Sequence, residues 1–555
     1  MILISPAQAR EQDGQAMEVY GVTGGRLMEN AGAAVARVAL RLWRQDAPGG
    51  LDECRVCIVV GSGNNGGDGS VAARHLLAYG ARVRVHCLCD PGRLTGDARA
   101  AFESLRQCVE RAAGGLWPES SGSSRGSGGS AGAIIIQPSH DELRRDLKWA
   151  HVTVDALLGT GFSRTVHGPA AEAISLINEH SRTVVAVDVP SGLDAATGKA
   201  PGACVNADVT VTFGHAKLGL LVHDGPRHAG RIVVDHIGMP APLLAFGALN
   251  GAALEMLDPE RVQAALPPRT PQMHKGEAGR VLVVAGSPPM PGAAALCAMA
   301  SLRSGAGLAY LASYPEVARA AAARYSEIVM VPPGETLERA ASADCVVAGP
   351  GMGNSARTRE MIRLLLEEGI GATLVLDADA LNCLEGRAHL LAAAARRGAR
   401  LVLTPHPGEL ARLMGCSVRE IQSDRVSWAV SAAGATGAVV ILKGARTLVA
   451  APDGRLAVNP TGNSGMATAG SGDVLAGVVA AMCASRSPAP FDAACAAAFC
   501  HGLAGDIAAE RRGERGITAG DVLECLPDAF AEVEGHPAAL WKSMPCVPMS
   551  EFERW

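Results

Sequence analysis

A chain of 555 residues exceeds the roughly 250–300 at which a single core stops growing, so two large domains are expected. Hydrophobic residues at 48% and charged residues at 19% describe a globular chain able to bury sizeable cores, and they exclude bulk disorder. A formal net charge of -5, the absence of a long Lys/Arg run and only 3% aromatic residues argue against a nucleic-acid partner.

Short β-branched runs alternate with Ala-rich helical stretches from end to end, the pattern of parallel sheets covered by helices, so both halves read as α/β. Met1 to Arg10 has no basic segment followed by an apolar core. No run reaches the ~20 apolar residues of a membrane helix, so a cytoplasmic protein without a membrane partner is expected. First-half strands are predicted at Arg55–Val60, Arg82–Cys87, Val152–Leu157, Thr183–Asp188, Val209–Phe213 and Arg231–Asp235. Cys54-Arg-Val-Cys57 has CxxC spacing, but no second pair or histidine cluster completes a zinc site. Fifteen singly scattered cysteines fit free thiols in a reducing compartment.

The first strand leads into Gly61-Ser-Gly-Asn-Asn-Gly-Gly-Asp-Gly69 and then a helix predicted over Ser70–Ala78, a strand, glycine turn and helix that could seat a dinucleotide pyrophosphate. A tight turn with Asn and Asp as local caps is the plainer alternative. Two further strand ends, Val154-Asp-Ala-Leu-Leu-Gly-Thr-Gly161 and Val187-Asp-Val-Pro-Ser-Gly-Leu-Asp194, each deliver a carboxylate beside a flexible turn. Asp155 and Asp188 could be caps; with Asn65 and Ser191 they also offer the hard oxygens that an alkali or alkaline-earth cation prefers.

Between Gly114 and Gly132 the composition collapses to Gly and Ser, as in a disordered surface insertion. A Pro/Ala-rich region over Gly238–Gly279 places a domain boundary near residue 245. Strands follow at Arg280–Ala285, Leu308–Ser313, Glu327–Val331, Cys345–Ala348, Thr373–Asp377, Leu401–Thr404 and Val439–Lys443. The stretch from Asn459 to Asp473 ends where an apolar helix, Val474–Met482, begins, so the N–H groups of Ala469, Gly470, Ser471 and Gly472 can converge on an anion. Asp473 sits in the first turn, where that field should favour its ionised form and suit it to accept a proton from a hydroxyl. An ordinary Gly-rich loop with Asp473 as cap is the alternative. Its neighbours at strand ends, Lys443-Gly444-Ala445-Arg446-Thr447, Pro405-His406, Gly349-Pro-Gly-Met-Gly353 and Asp377-Ala-Asp-Ala-Leu-Asn382, favour a phosphoryl-transfer site.

Together with Lys275-Gly276, Gly286-Ser287, Gly292-Ala293 and Gly305-Ala306-Gly307, these motifs resemble the ADP-dependent NAD(P)H-hydrate dehydratase family, whose fold is ribokinase-like, over residues 255–530. The run Ser287-Pro-Pro-Met-Pro-Gly292 departs from the resemblance in lacking an aromatic before the Gly-Ala pair. The resemblance implies that the S epimer of hydrated NADH or NADPH is phosphorylated by ADP at its C6 hydroxyl, after which the ring nitrogen expels phosphate. Asp473 would be the base, with Ala469, Gly470, Ser471 and Gly472 as the anion hole. Lys443, Gly444, Ala445, Arg446, Thr447 and Gly472 would hold the nucleotide with Mg2+, and Ala293, Gly353 and His406 the hydrated cofactor.

Residues 1–240, of Rossmann-like three-layer character, resemble the NAD(P)H-hydrate epimerase family. By that resemblance Asn65, Asp155 and Ser191 would bind K+. Asn64, Asn65, Gly66, Gly67, Asp68, Gly159, Thr160, Gly161, Phe162, Ser163, Arg164, Thr165 and Asp188 would contact the substrate, and Asp188 would be the acid/base group. The expected protein is a bifunctional repair enzyme with ADP, NADHX and NADPHX as its small-molecule partners, and a homo-oligomer. A ribokinase-like small-molecule kinase fused to a non-catalytic Rossmann-like binding module is the alternative.

Overall fold

The computed structural model describes residues 1–46, 50–113, 132–245, 254–332, 334–368, 371–485 and 489–554. The Gly/Ser-rich stretch expected at 114–132 lies outside them except for Gly132. The chain forms two compact units, one of Ile2–Leu249 with Pro545–Trp555, the other of Met1 with Asn250–Met544.

In the first unit the strands are β1 (Arg55–Val60), β2 (Arg82–Cys87), β3 (Gly132–Ile136), β4 (Val152–Ala156), β5 (Thr183–Val187), β6 (Val209–Phe213) and β7 (Arg231–Asp235). A further strand, Cys546–Pro548, returns from the C-terminus to pair with β7. All eight run parallel, with the C-terminal strand at one edge followed by β7, β6, β5, β4, β1, β2 and β3. Strand β1 alternates its side chains between two covered faces, the period-two pattern of a central strand. Cys57 and Val59 join the core formed with Leu143, Leu147, Ile174 and Ile177 of the helices His140–Trp149 and Pro169–His180. On the opposite face Ile58 and Val60 lie under Gly69 of the helix Asn64–Ala78.

That helix begins at Asn64, six residues before the start predicted at Ser70, so most of the expected glycine turn is helical. The reason is close packing. A Cβ at Gly66 would overlap the Gly61 carbonyl oxygen, one at Gly67 would meet the Met28 side chain at 2.7 Å, and one at Gly69 the Ala156 methyl at 2.5 Å. These glycines let a helix lie directly on the sheet rather than bend the chain.

The second unit has β8 (Leu254–Met256), β9 (Arg280–Val284), β10 (Leu308–Ala312), β11 (Val329–Met330), β12 (Cys345–Ala348), β13 (Thr373–Leu376), β14 (Arg400–Leu403), β15 (Val439–Leu442), β16 (Leu448–Ala450) and β17 (Leu456–Val458). Their order is β8-β17-β16-β15-β14-β13-β12-β9-β10-β11, parallel except where the meander β15-β16-β17 turns back on itself. The helix predicted over Val474–Met482 spans Ser471–Ala484 and packs on the helix Pro291–Arg303, where Gly477 lies against the Cys297 carbonyl. All fifteen cysteines are free thiols. Among the described residues no helix is long and apolar enough to cross a membrane.

In each sheet one strand has neighbours reached in opposite directions: β1 between β4 and β2, and β9 between β12 and β10. Open α/β sheets form their ligand crevices beyond the carboxyl ends of the strands at such reversals. Deleting residues 545–555 removes the buried Val547, Met549 and Phe552 from the first unit. With ~2–5 kcal/mol at stake for each large apolar side chain truncated in a core, the deletion is expected to lower the first unit's unfolding transition by well over 10 °C in calorimetry while sparing the second unit's.

Candidate active sites

In the first unit a cavity of about 770 Å³ opens at the carboxyl edge of the sheet. It is lined by Asn64, Asn65 and Asp68 after β1, by Leu157–Phe162 after β4, by Asp188 after β5 and by Lys217 after β6. Of the sequence-predicted contacts, Asn64, Asn65, Asp68, Gly159, Thr160, Gly161, Phe162 and Asp188 line it. Gly66 and Gly67 are buried in helix packing, and Ser163, Arg164 and Thr165 lie exposed beyond the lining. Asp188 has a left-handed backbone, φ +62°, a conformation that non-glycine residues adopt sparingly and that here turns the chain at the strand end. Its Oδ1 accepts from Lys217 Nζ at 2.5 Å and from the Thr212 hydroxyl at 2.9 Å.

Asp155, Ser191 and Asn65 come together at the ends of β4 and β5. Ser191 donates to Asp155 through its hydroxyl (2.6 Å) and its backbone N–H (2.8 Å), and Asn65 Nδ2 donates to the Leu158 carbonyl at 3.0 Å. Burial pushes the Asp155 carboxyl up to about 6 against these hydrogen bonds. Asn65 Oδ1 is buried without a hydrogen-bond partner, an acceptor of the kind that burial normally does not leave unmatched.

In the second unit, strand ends again converge. Lys443, just past β15, donates from Nζ to Asp377 Oδ1 at 2.8 Å and lies 3.7 Å from Glu409 Oε2. Burial alone would lower the Lys443 pKa, but Asp377 and then Glu409 raise it, so the ammonium stays charged. A Cβ on Gly472 would stand 3.2 Å from that ammonium, one on Gly351 would stand 2.8 Å from the Ala293 methyl, and the Gly353 N–H donates to Asp379 Oδ2 at 2.7 Å. Gly470 takes φ +90° and caps the helix that opens at Ser471, leaving the N–H groups of its first turn without helical partners. Asp473 lies in that turn. The helix field was expected to favour its ionised form; instead burial, and next the charge of Asp377, push its carboxyl up to about 7. Desolvation and like charge outweigh a macrodipole worth about 0.3–1 kcal/mol at exposed sites.

His406 caps the helix Pro407–Met414, its Nδ1 accepting from the N–H groups of Gly408 (3.0 Å) and Glu409 (3.4 Å), which leaves its half-exposed Nε2 edge beside Glu409. Beyond Lys443, the predicted nucleotide loop is braced from behind: Arg425 donates to the Ala445 carbonyl (2.6 Å), Thr447 to Gly444 (3.0 Å), and Arg446, at φ +52°, to the Pro460 carbonyl. His501, mid-helix and buried, is pushed down to about 4 by burial and faces the Ser471 carbonyl at 3.1 Å. Lys217, Asp13 and His501 lie at these two strand edges without having been singled out in the sequence, whereas Asp379 falls inside the strand-end motif Asp377–Asn382 already noted. Lys217 follows a strand closely enough to be suspected from position, but Asp13 and His501 sit inside helices with no local signal.

Two α/β units, each with polar strand ends gathered at a sheet reversal and one with an acidic helix start, define a two-site nucleotide-handling enzyme. Residues 281–528 match the family described as NAD(P)H-hydrate dehydratase, and residues 24–219 match the YjeF-related protein N-terminus family. The chain is 40% identical over 550 residues, 96% of its length and 97% of the relative's, to the bifunctional NAD(P)H-hydrate repair enzyme Nnr of Moorella thermoacetica. It is 36% identical over 522 residues (93% and 92%) to that of Escherichia coli K12. Among solved structures it is similar to an ADP/ATP-dependent NAD(P)H-hydrate dehydratase from Bacillus subtilis co-crystallised with ATP/Mg2+, at 30% identity and TM-score 0.46, covering 50% of this chain and 99% of that one. The chain belongs to the family of bifunctional NAD(P)H-hydrate repair enzymes. Both units have the α/β class expected of them, each built on a largely parallel sheet.

The raised Asp473 value has a consequence for stability. The folded value of about 7 lies above the ordinary 3.8, so its contribution is fully present below about pH 4 and is lost as pH rises through 7. Asp473→Asn is expected to raise the melting temperature of the second unit at pH 8 and leave it unchanged at pH 4, measured by calorimetry.

Proposed function

We propose that the two sites carry the two halves of one repair, with Asp188 serving the first and Asp473 the second. As a member of its family the chain is an isomerase and a lyase: it interconverts the R and S epimers of hydrated NAD(P)H and dehydrates the S form with an adenine nucleotide. The single observation that carries the second assignment is a carboxyl titrating near neutrality in the first turn of a helix opened by glycine.

A C6 hydroxyl leaves poorly. Asp473 takes its proton as the oxygen attacks the β-phosphorus of ADP, and the N–H groups of Ala469, Gly470, Ser471 and Gly472 receive the charge of the transferring group. The ring nitrogen's lone pair then expels phosphate, and loss of a C5 proton restores the dihydropyridine, leaving AMP and phosphate as co-products. Lys443, Gly444, Ala445, Arg446 and Thr447 flank the nucleotide, while Ala293, Gly353 and His406 face the hydrated ring. Asp377, Glu409 and Asp473 share one ammonium here and Asp379 adds its charge beside Asp473, an excess of negative charge that suits a divalent cation. Mg2+ held by Asp377 or Asp379 together with the phosphates would supply the missing positive charge. In the first unit the unpartnered Asn65 Oδ1, with Asp155 and Ser191, fits K+, which would organise the loop that carries Gly159 and Thr160.

The deciding experiment incubates the full chain with Mg2+, ADP or ATP, and an equilibrated mixture of hydrated NADH epimers. Complete recovery of NADH absorbance is expected. Asp188→Ala should recover only the S fraction and then plateau, and Asp473→Asn should recover essentially none, a loss of at least ~100-fold, while still interconverting the epimers. A stable phosphorylated product would identify a kinase instead. Replacing K+ by Li+ is expected to slow epimerisation severalfold in the unaltered chain and to leave Asn65→Ala unaffected, as followed by chromatography of the epimers.

A further inference from the structure

The first-unit cavity holds more acid chemistry than one base requires. Asp13 of the helix Pro6–Glu18, Asp68 of the helix Asn64–Ala78 and Asp188 all line it, with Lys217. Arg10 and Asp97 are the other charged groups on its wall. The Lys217 side chain is 3% exposed, and its three N–H bonds are all committed: to Asp188 Oδ1 at 2.5 Å, the Phe213 carbonyl at 2.9 Å and Thr212 Oγ1 at 3.1 Å. Lys217 and Thr212 both approach Oδ1 of Asp188, so its other oxygen is the one left to accept a proton. Asp68 is buried, and among the described residues its carboxyl has no hydrogen-bond or ion-pair partner. A buried carboxyl without a partner is costly to keep ionised. Burial, and then the charges of Asp188 and Asp13, hold the Asp68 carboxyl well above the usual carboxylate range, which favours its protonated form.

We propose that Asp68 is the acid partner of Asp188 in epimerisation, and that Lys217 is the positioning residue that fixes Asp188 as the base. This rests on the first unit being the epimerase. The hydrated ring carries its hydroxyl on C6, which is also bonded to N1, so C6 is a hemiaminal carbon and opens like one. Asp188 takes the hydroxyl proton and the oxygen's electrons form a C=O bond. The C6–N1 bond breaks with its pair going to N1, which takes the proton of Asp68. Rotation about C5–C6 presents the other face of the aldehyde. N1 attacks it, its proton returns to Asp68, and Asp188 returns a proton to the oxygen. Nothing is oxidised or reduced and both carboxyls end as they began.

The test uses the full chain and hydrated NADH, with R-to-S conversion followed by chromatography and dehydration of pure S epimer measured as an internal control for folding. Asp68→Asn is expected to lower epimerisation kcat on the order of 100-fold with KM little changed, and to abolish the loss of activity at alkaline pH that ionisation of the acid imposes. Asp68→Glu should recover part of the rate. Lys217→Met is expected to fall comparably, and Lys217→Arg to recover at least tenfold of that loss. Asp68→Asn within threefold of the unaltered chain, or an alkaline limb unchanged in it, overturns the acid role. Lys217→Arg no better than Lys217→Met overturns the positioning role. Full activity in Asp188→Ala would instead sink the epimerase reading on which both rest.

Discussion

A buried ammonium shared by more carboxylates than it can neutralise organises each of the two sites. In the second unit Lys443 stands 2.8 Å from Asp377 and 3.7 Å from Glu409, with Asp473 close enough to feel the negative charges of Asp377, Asp379 and Glu409. In the first, Lys217 stands 2.5 Å from Asp188 while Asp13 and Asp68 line the same cavity. A lone ammonium could not be buried in either place, and removing it would leave uncompensated carboxylates. One cation cannot satisfy all of them, so the Asp473 carboxyl is pushed up to about 7 and that of Asp68 is held well above the usual carboxylate range. That is the condition under which a carboxyl can serve as acid or base to a substrate hydroxyl.

These clusters exist because parallel sheets deliver every strand's carboxyl end to one edge. Residues more than a hundred positions apart, such as Ala293 and Gly470, become neighbours of one helix and its flanks without any local signal linking them. Glycines make the approach close enough. A side chain at Gly349 would strike the Asp377 carbonyl and one at Gly66 that of Gly61, so helix or loop and sheet meet at backbone distance where the ligand edge is built. The meander β15-β16-β17 then lets the same edge continue past the parallel strands, bringing Asn459 and Thr461 under the helix Pro490–Arg512.

Much of this was legible beforehand. Central strands such as β1 and β12 are continuous apolar runs, and burial on both faces leaves no other reading for them. The Ala469–Asp473 turn and the Asn64–Asp68 segment stood out because glycines and short polar residues cluster where a strand end gives way to a helix. Edge elements were missed. The three-residue strands β8, β16 and β17, and the C-terminal Cys546–Pro548, carry too few residues for a period to show, and the partner across the sheet defines them.

The amino-acid sequence by itself determined the α/β class and the glycine-framed strand ends, and it singled out Asp188 and Asp473 as candidates, because each is a local pattern of residue types over a few positions. Only the tertiary structure decided how the carboxyl groups are shifted. The local helix field argued for an ionised Asp473, yet Asp377, Lys443 and burial set its value near 7. Asp68 looked like one more contact in a turn until packing enclosed it with Asp188 and Asp13. Charge and desolvation act through space over several ångströms, and distance along the chain carries no information about them.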